Sequence, residues 1–430
     1  MADHALTAPA LPSARRRFGP GFRRLWAATT FSGLGDGVRM IALAVLASTI
    51  TADPLKVSLV TVAGQLPWVL VGPFSGTLID HWDRYRLLWL CDAARTAVLA
   101  GLVMVLLTGR ASLTALVVVA FLLSSVETMA ENLAQAVVPD MAAADALDSA
   151  NSRLLTGQLV TMEFLGPPLG TALFAVAHAL PFGLATACFA VSALLVLRVR
   201  PRGAAVRGTP LTLRSLGSHT AAGVVWLWRH RLLRTVCLLV ALFNFAVLAV
   251  LGVAVLYALD TLKLSQTMYG LLMLVIAGGG LIGVVTAPLV VSALGRGRAL
   301  QLSFALCPAS FAVAGWTSHP LVAALALTFV GAAITLGNVL TATLRQTLIP
   351  KERFGQVNGA YRLVINGLTP LGGLAGGLVA DRFGLRAPFF LAAGLLLLCT
   401  LAAVPLLPRR ALDDLPEPDA GTGAAEAGEG

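Results

Sequence analysis

Gly72-Pro-Phe-Ser-Gly76-Thr-Leu78-Ile-Asp80-His-Trp-Asp83-Arg84-Tyr-Arg86 is a short polar passage between two long apolar runs, 57–79 and 87–108. Each run has the roughly 20 apolar residues that a helix needs to cross the hydrocarbon core of a bilayer. The passage between them is too short to form a domain and too charged to stay in lipid. It reads as a tight turn at a membrane surface, with Arg84 and Arg86 holding it on the side where basic residues collect.

The rest of the chain repeats this pattern. Of its 430 residues, 57% are hydrophobic and only 12% are charged, whereas a soluble domain is roughly 45–50% apolar and about 25% charged. A soluble multidomain enzyme and a secreted disulfide scaffold are excluded, because so few polar side chains could not cover their surfaces. Spans are expected near 25–50, 57–79, 87–108, 112–136, 154–177, 181–199, 232–259, 268–293, 299–317, 320–344, 357–380 and 387–407. The fold class is therefore an all-α integral membrane protein with twelve transmembrane helices, divided six and six.

The expected organisation is a cytoplasmic arm over 1–22, a six-helix bundle over 23–199 and a basic linker over 200–231. A second bundle follows over 232–408, then an acidic, disordered tail over 409–430. The formal charge of +10 would suggest nucleic acid in a soluble protein, but here the basic residues fill the gaps between spans and orient the chain. Twenty-four Lys and Arg fall on the side of both termini and five on the other, so both termini are expected in the cytoplasm of a cell whose inner membrane holds the chain. Arg15-Arg-Arg-Phe18 lacks the short apolar core and cleavage site of an export signal. Cys91, Cys188, Cys237, Cys307 and Cys399 are scattered through apolar runs, so neither a disulfide nor a metal site is expected. No cofactor is expected, since Gly278-Gly-Gly280 lies inside an apolar run with no lysine after it.

Ionisable residues inside spans are costly, and they mark pathways or partners. Asp36 lies about 17 Å into the first span and Glu163 about 14 Å into the fifth, at about 1.5 Å per residue. Arg39 can pair with Asp36 across one turn. Ser124, Glu127, Glu131 and Gln135 fall on one face of the fourth span, which is expected to line a hydrated path. Asn338, with Thr335 and Thr341, forms a weaker polar cluster in the tenth. The two halves also echo one another: Gln135-Ala-Val-Val-Pro139 and Gln346-Thr-Leu-Ile-Pro350 stand near the ends of the fourth and tenth spans, as in a duplicated transporter.

The Gly76–Arg86 passage resembles the loop signature of the major facilitator superfamily, G-x-L-x-D-x-x-x-R-x-R, with Gly76, Asp80, Arg84 and Arg86 on its fixed positions. That resemblance implies a gate on the cytoplasmic side. Gly166-Pro167-Pro-Leu-Gly170-Thr171 is similar to a helix motif of exporters and antiporters in the superfamily, with Thr171 in place of the last glycine. A second copy of the loop pattern, Gly377 to Arg386, falls at the wrong turn for the family repeat and reads as a tight turn at Gly384. Phe22-Arg-Arg-Leu-Trp26, Gly33-Leu-Gly-Asp36-Gly37 and Val138-Pro-Asp140 resemble the branch that holds siderophore exporters and macrolide efflux proteins. The resemblance implies alternating access, with proton-coupled efflux of a small amphipathic molecule such as a drug, antibiotic or siderophore. Asp36, Arg39, Glu127, Glu131, Glu163 and Asn338 would carry coupling or substrate contact. The partners expected are that solute, protons and the lipid bilayer, and a monomer is expected. The competing expectations are uptake of a polar metabolite by the same fold, and a membrane sensor or secretion accessory that moves nothing.

Overall fold

The computed structural model describes residues 18–72, 82–141, 146–199, 222–350 and 353–406. Among them are twelve long helices: α1 (Pro20–Ile50), α2 (Pro54–Leu70), α3 (Arg84–Leu107), α4 (Leu113–Met141), α5 (Leu147–Gln158, continuing through Leu159–Leu165 and Gly166–Val176) and α6 (Leu180–Leu197) form the first bundle. The second holds α7 (Arg231–Leu251), α8 (Gln266–Leu294), α9 (Arg296–Trp316), α10 (Pro320–Leu348), α11 (Phe354–Phe383) and α12 (Ala387–Leu406). Ten of the helical segments are long and apolar enough to cross a membrane, and α2 and α12 are shorter apolar helices.

Helix starts and turns follow from local chemistry. Asp53, Asp83 and Ser265 accept hydrogen bonds from the exposed backbone N–H groups that open α2, α3 and α8. The Asp53 carboxyl is held below the usual carboxylate range by its hydrogen bonds with Lys56. Gly109, Gly295 and Gly384 turn the chain with φ of 68°, 79° and 88°. Gly384 thus makes the tight turn expected of the second loop pattern.

Several spans differ from expectation: α1 and α5 begin earlier, at Pro20 and Leu147, and α10 runs on to Leu348. α4 runs on to Met141, past Pro139. α7 stops at Leu251, and Gly252 there sits against Ser58 of α2 and Gly373 of α11; two short helical turns, Ala254–Leu256 and Tyr257–Thr261, complete the crossing. A short helix over 222–229 precedes α7.

The bundles are related by a repeat that packing makes visible. Pro168-Leu169-Gly170 in α5 matches Pro370-Leu371-Gly372 in α11. Gly170 lies against Val38 of α1, and Gly372 against Phe245 of α7. α1 and α5 cross so closely that a methyl group on Gly166 would come 2.6 Å from the Gly37 backbone; small residues permit such contacts between membrane helices.

Among the described residues, the close contacts between the bundles gather at one end. Ser58 and Leu55 of α2 touch Gly377 of α11, Val62 touches Gly373, and Thr171 and Pro167 of α5 touch Gly270 of α8. All of these lie toward the face opposite the two ends of the bundle, the face of the 51–53 and 384–386 turns. One apolar core there joins both halves, with Val57, Val60 and Leu116 in the same cluster as Val250, Tyr257 and Phe311. Toward the terminal face the apolar clusters stay within one half: Leu25, Leu133 and Val196 in the first bundle, Val236, Leu300 and Leu344 in the second. Among the described residues the bundles pack together at the opposite face, and their apolar clusters separate toward the terminal face.

Candidate functional site

A network of charge lies buried among α1, α3, α4 and α6. Arg39 Nε donates to Asp36 Oδ1 at 2.8 Å, and its Nη2 donates to Glu127 Oε2 at 2.5 Å. Arg95 Nη1 donates to Asp36 Oδ2 at 2.8 Å and its Nη2 to Asp92 Oδ1 at 2.9 Å. Ser192 Oγ donates to Asp92 Oδ2 at 2.6 Å, and the Arg95 guanidinium lies over the Phe189 ring at 4.6 Å. Asp36, Arg39, Asp92, Arg95 and Glu127 are each at most 6% exposed. Burying ions is costly unless pairing is good, and removing one partner from a buried pair costs about 3–5 kcal/mol. Three carboxylates face two guanidiniums, so with every carboxylate ionised the network carries one uncompensated negative charge.

Asp36 pairs with Arg39 as their spacing suggested, and Glu127, expected on a hydrated face of the fourth span, joins them. Asp92, Arg95 and Ser192 were not anticipated. Their signal was present: Asp92-Ala-Ala-Arg95 is an i, i+3 acid–base pair inside an apolar run, the same pattern as Asp36 and Arg39. The expected polar face of α4 is corrected in part. Ser124 and Glu127 are sealed inside the protein because Arg39 pairs with Glu127 from α1; Glu131 is half-buried and Gln135 exposed. Glu131, Asp36, Asp92, Arg95, Gln158 and Ser192 line a cavity of about 30 Å³, enough for about two waters.

Glu163 does not join this network. It is exposed on the π-helical stretch Leu159–Leu165 of α5, about one turn before Pro167 meets α8. Gly166, Pro167 and Gly170 of the exporter-like motif are buried, and their contacts are with α1 and α8. Gly76 and Asp80 lie outside the described residues. Arg84 Nη1 donates to the Ala136 carbonyl of α4 at 3.2 Å, a contact within one bundle, and Arg86 is exposed.

The second bundle holds a polar cavity of about 450 Å³ between α7, α10 and α11, lined by Asn244, Asn338, Arg345, Asn358, Tyr361, Arg362 and Asn366 among others. Asn338 was anticipated; the rest were not. Arg345 counted only as a loop charge, but α10 runs on to Leu348 and carries it into the wall. Its Nη1 donates to Asn358 Oδ1 at 2.5 Å, its Nε donates to the Thr341 carbonyl at 3.3 Å, and its guanidinium stacks over Tyr361 at 4.3 Å. Arg362 is exposed in this wall, near enough to Glu131 of the first bundle to act on it electrostatically. Among the described residues, no group of three or more His, Cys, Asp or Glu is placed to hold a metal ion.

A family profile described as transmembrane secretion effector matches residues 18–418. The multidrug efflux pump Tap of Mycobacterium tuberculosis is 28% identical over 413 residues, 93% of this chain and 96% of that protein. Tap of Mycolicibacterium fortuitum is 26% identical over 405 residues, 92% and 97% of the two chains. Among solved structures, a bacterial homologue of the iron transporter ferroportin in its inward-facing state superposes with a TM-score of 0.74 at 20% identity, covering 90% of this chain and 98% of that one. The nucleoside transporter NupG gives 0.71 at 13% identity, covering 90% and 99%. At such identities these two structures show a shared fold.

Proposed function

Since the chain belongs to the transmembrane secretion effector family of MFS transporters, we propose that it exports a small amphipathic molecule by alternating access, driven by protons. The terminal face is cytoplasmic on this reading, supported by the distribution of Lys and Arg, and the membrane is the cell's inner one. On the same reading this face is the open one, which loads solute from inside.

The buried network with its odd negative charge is the observation that carries the reading. One proton balances three carboxylates against two guanidiniums, and its departure leaves a buried charge that is costly until the surroundings rearrange. Glu131, beside the small cavity, would pass the proton between the open cleft and Asp36 or Asp92. Gly37, next to Asp36, packs on Met162 and Gly166 of α5, and α5 carries Thr171 against Gly270 of α8. A shift of α1 as the network gains or loses its proton therefore pushes on the helix that helps close the opposite face. Asp80, Arg84 and Arg86 would lock the cytoplasmic side in the alternate state.

Efflux of fluorescent amphiphiles measured in everted vesicles, with and without a protonophore, tests the reading. Protonophore-sensitive uptake that Asp36→Asn abolishes supports it; transport indifferent to the protonophore removes proton coupling. The polar wall of the second bundle favours a second reading, uptake of a polar anion. Accumulation of such a solute by intact cells, with no efflux from them, would select it.

A further inference from the structure

We propose that the cavity between α7, α10 and α11 is a recognition site for an anionic oxygen group, a carboxylate or phosphate, on the transported molecule. This rests on the transport reading and narrows its substrate class from amphiphile to acidic amphiphile. The contrast between the two bundles argues for it. In the first, Arg39 and Arg95 are each satisfied by two carboxylates. In the second, the cavity wall presents Arg345 and Arg362 with amides and Tyr361 but no acidic side chain. Among the described residues neither arginine forms an ion pair within its own bundle.

Arg345 is also pre-set. Asn358, the Thr341 carbonyl and the Tyr361 ring fix its plane from three directions, and none of them neutralises its charge. A fixed guanidinium is the side chain suited to two-point capture of a carboxylate or phosphate. Asn244, Asn338 and Asn366 supply further donors, and the volume of about 450 Å³ admits a small organic molecule. Arg362 lies near enough to Glu131 of the first bundle to feel its charge, so a bound anion would compete with Glu131 for Arg362.

Binding of a matched pair of probes to the purified full-length protein, dansyl-phenylalanine and its uncharged amide, tests this by fluorescence polarisation. The carboxylate is expected to bind at least about tenfold more tightly. Arg345→Gln with Arg362→Gln is expected to erase that preference and leave the amide's affinity unchanged, with Arg345→Lys restoring part of it. Equal affinity of the two probes, no binding of either, or a preference that survives the double substitution overturns the proposal. Displacement of the probe by benzoate assigns the anion to a soluble solute, and displacement by short-chain phosphatidylglycerol alone assigns it to a lipid headgroup. Carboxylate preference without transport in vesicles would leave the site standing and remove the export reading.

Discussion

At the residue scale, the substitutions that matter most differ by the sign of the charge they remove. Arg95→Gln leaves Asp36 and Asp92 buried with reduced compensation and is expected to cost about 3–5 kcal/mol, read as a lowered melting temperature in detergent. Glu127→Gln instead balances two carboxylates against two guanidiniums. It is expected to melt no lower than the parent while losing protonophore-sensitive transport; a protein that keeps this transport would show that Glu127 is only structural. Half of the network was legible in the sequence, because a charge inside an apolar run is conspicuous and Asp36 and Arg39 fall one turn apart. Asp92 and Arg95 have the same spacing inside the third span and carried the same signal. Ser192 offered no signal, since a serine among apolar residues is ordinary and only the packing of α6 on α3 brings it to Asp92.

At the element scale, α5 and α11 carry the joints between the bundles. A methyl group on Gly377 would overlap the Ser58 hydroxyl and come 3.1 Å from the Leu55 backbone. Gly377→Leu is therefore expected to part α2 from α11 and raise the reactivity of a cysteine placed at Val62 toward an impermeant maleimide added from the opposite face. Unchanged reactivity would mean that this contact does not help close that face. The glycines and prolines of both helices were visible as a Gly/Pro-rich pattern, and their contacts were not, because the partners lie roughly a hundred residues away or more. The π-helical stretch before Gly166 had no sequence signal either. Glu163 lies on this stretch, exposed and apart from the network.

For the whole molecule, twelve spans and their division followed from apolar length and the basic linker. The polar cavity of the second bundle did not, because its amides and arginines are unremarkable within any one helix and gather only when three helices pack. Spin labels at Leu155 of α5 and Leu294 of α8, both exposed near the terminal face, are expected to sit far apart in the parent and closer in Gly377→Leu; no change in separation would contradict a rocking of the bundles. The closed end also bears on how the molecule responds to its surroundings. Its two halves touch there through hydroxyls, backbone and apolar side chains, and among the described residues every ion pair falls within the first bundle. Contacts of this kind carry no charge for salt to screen. The closed end should accordingly hold its packing as ionic strength rises, so that any response of the molecule to salt would arise at the terminal face, where Arg362, Glu131, Arg84 and Arg86 carry the charge.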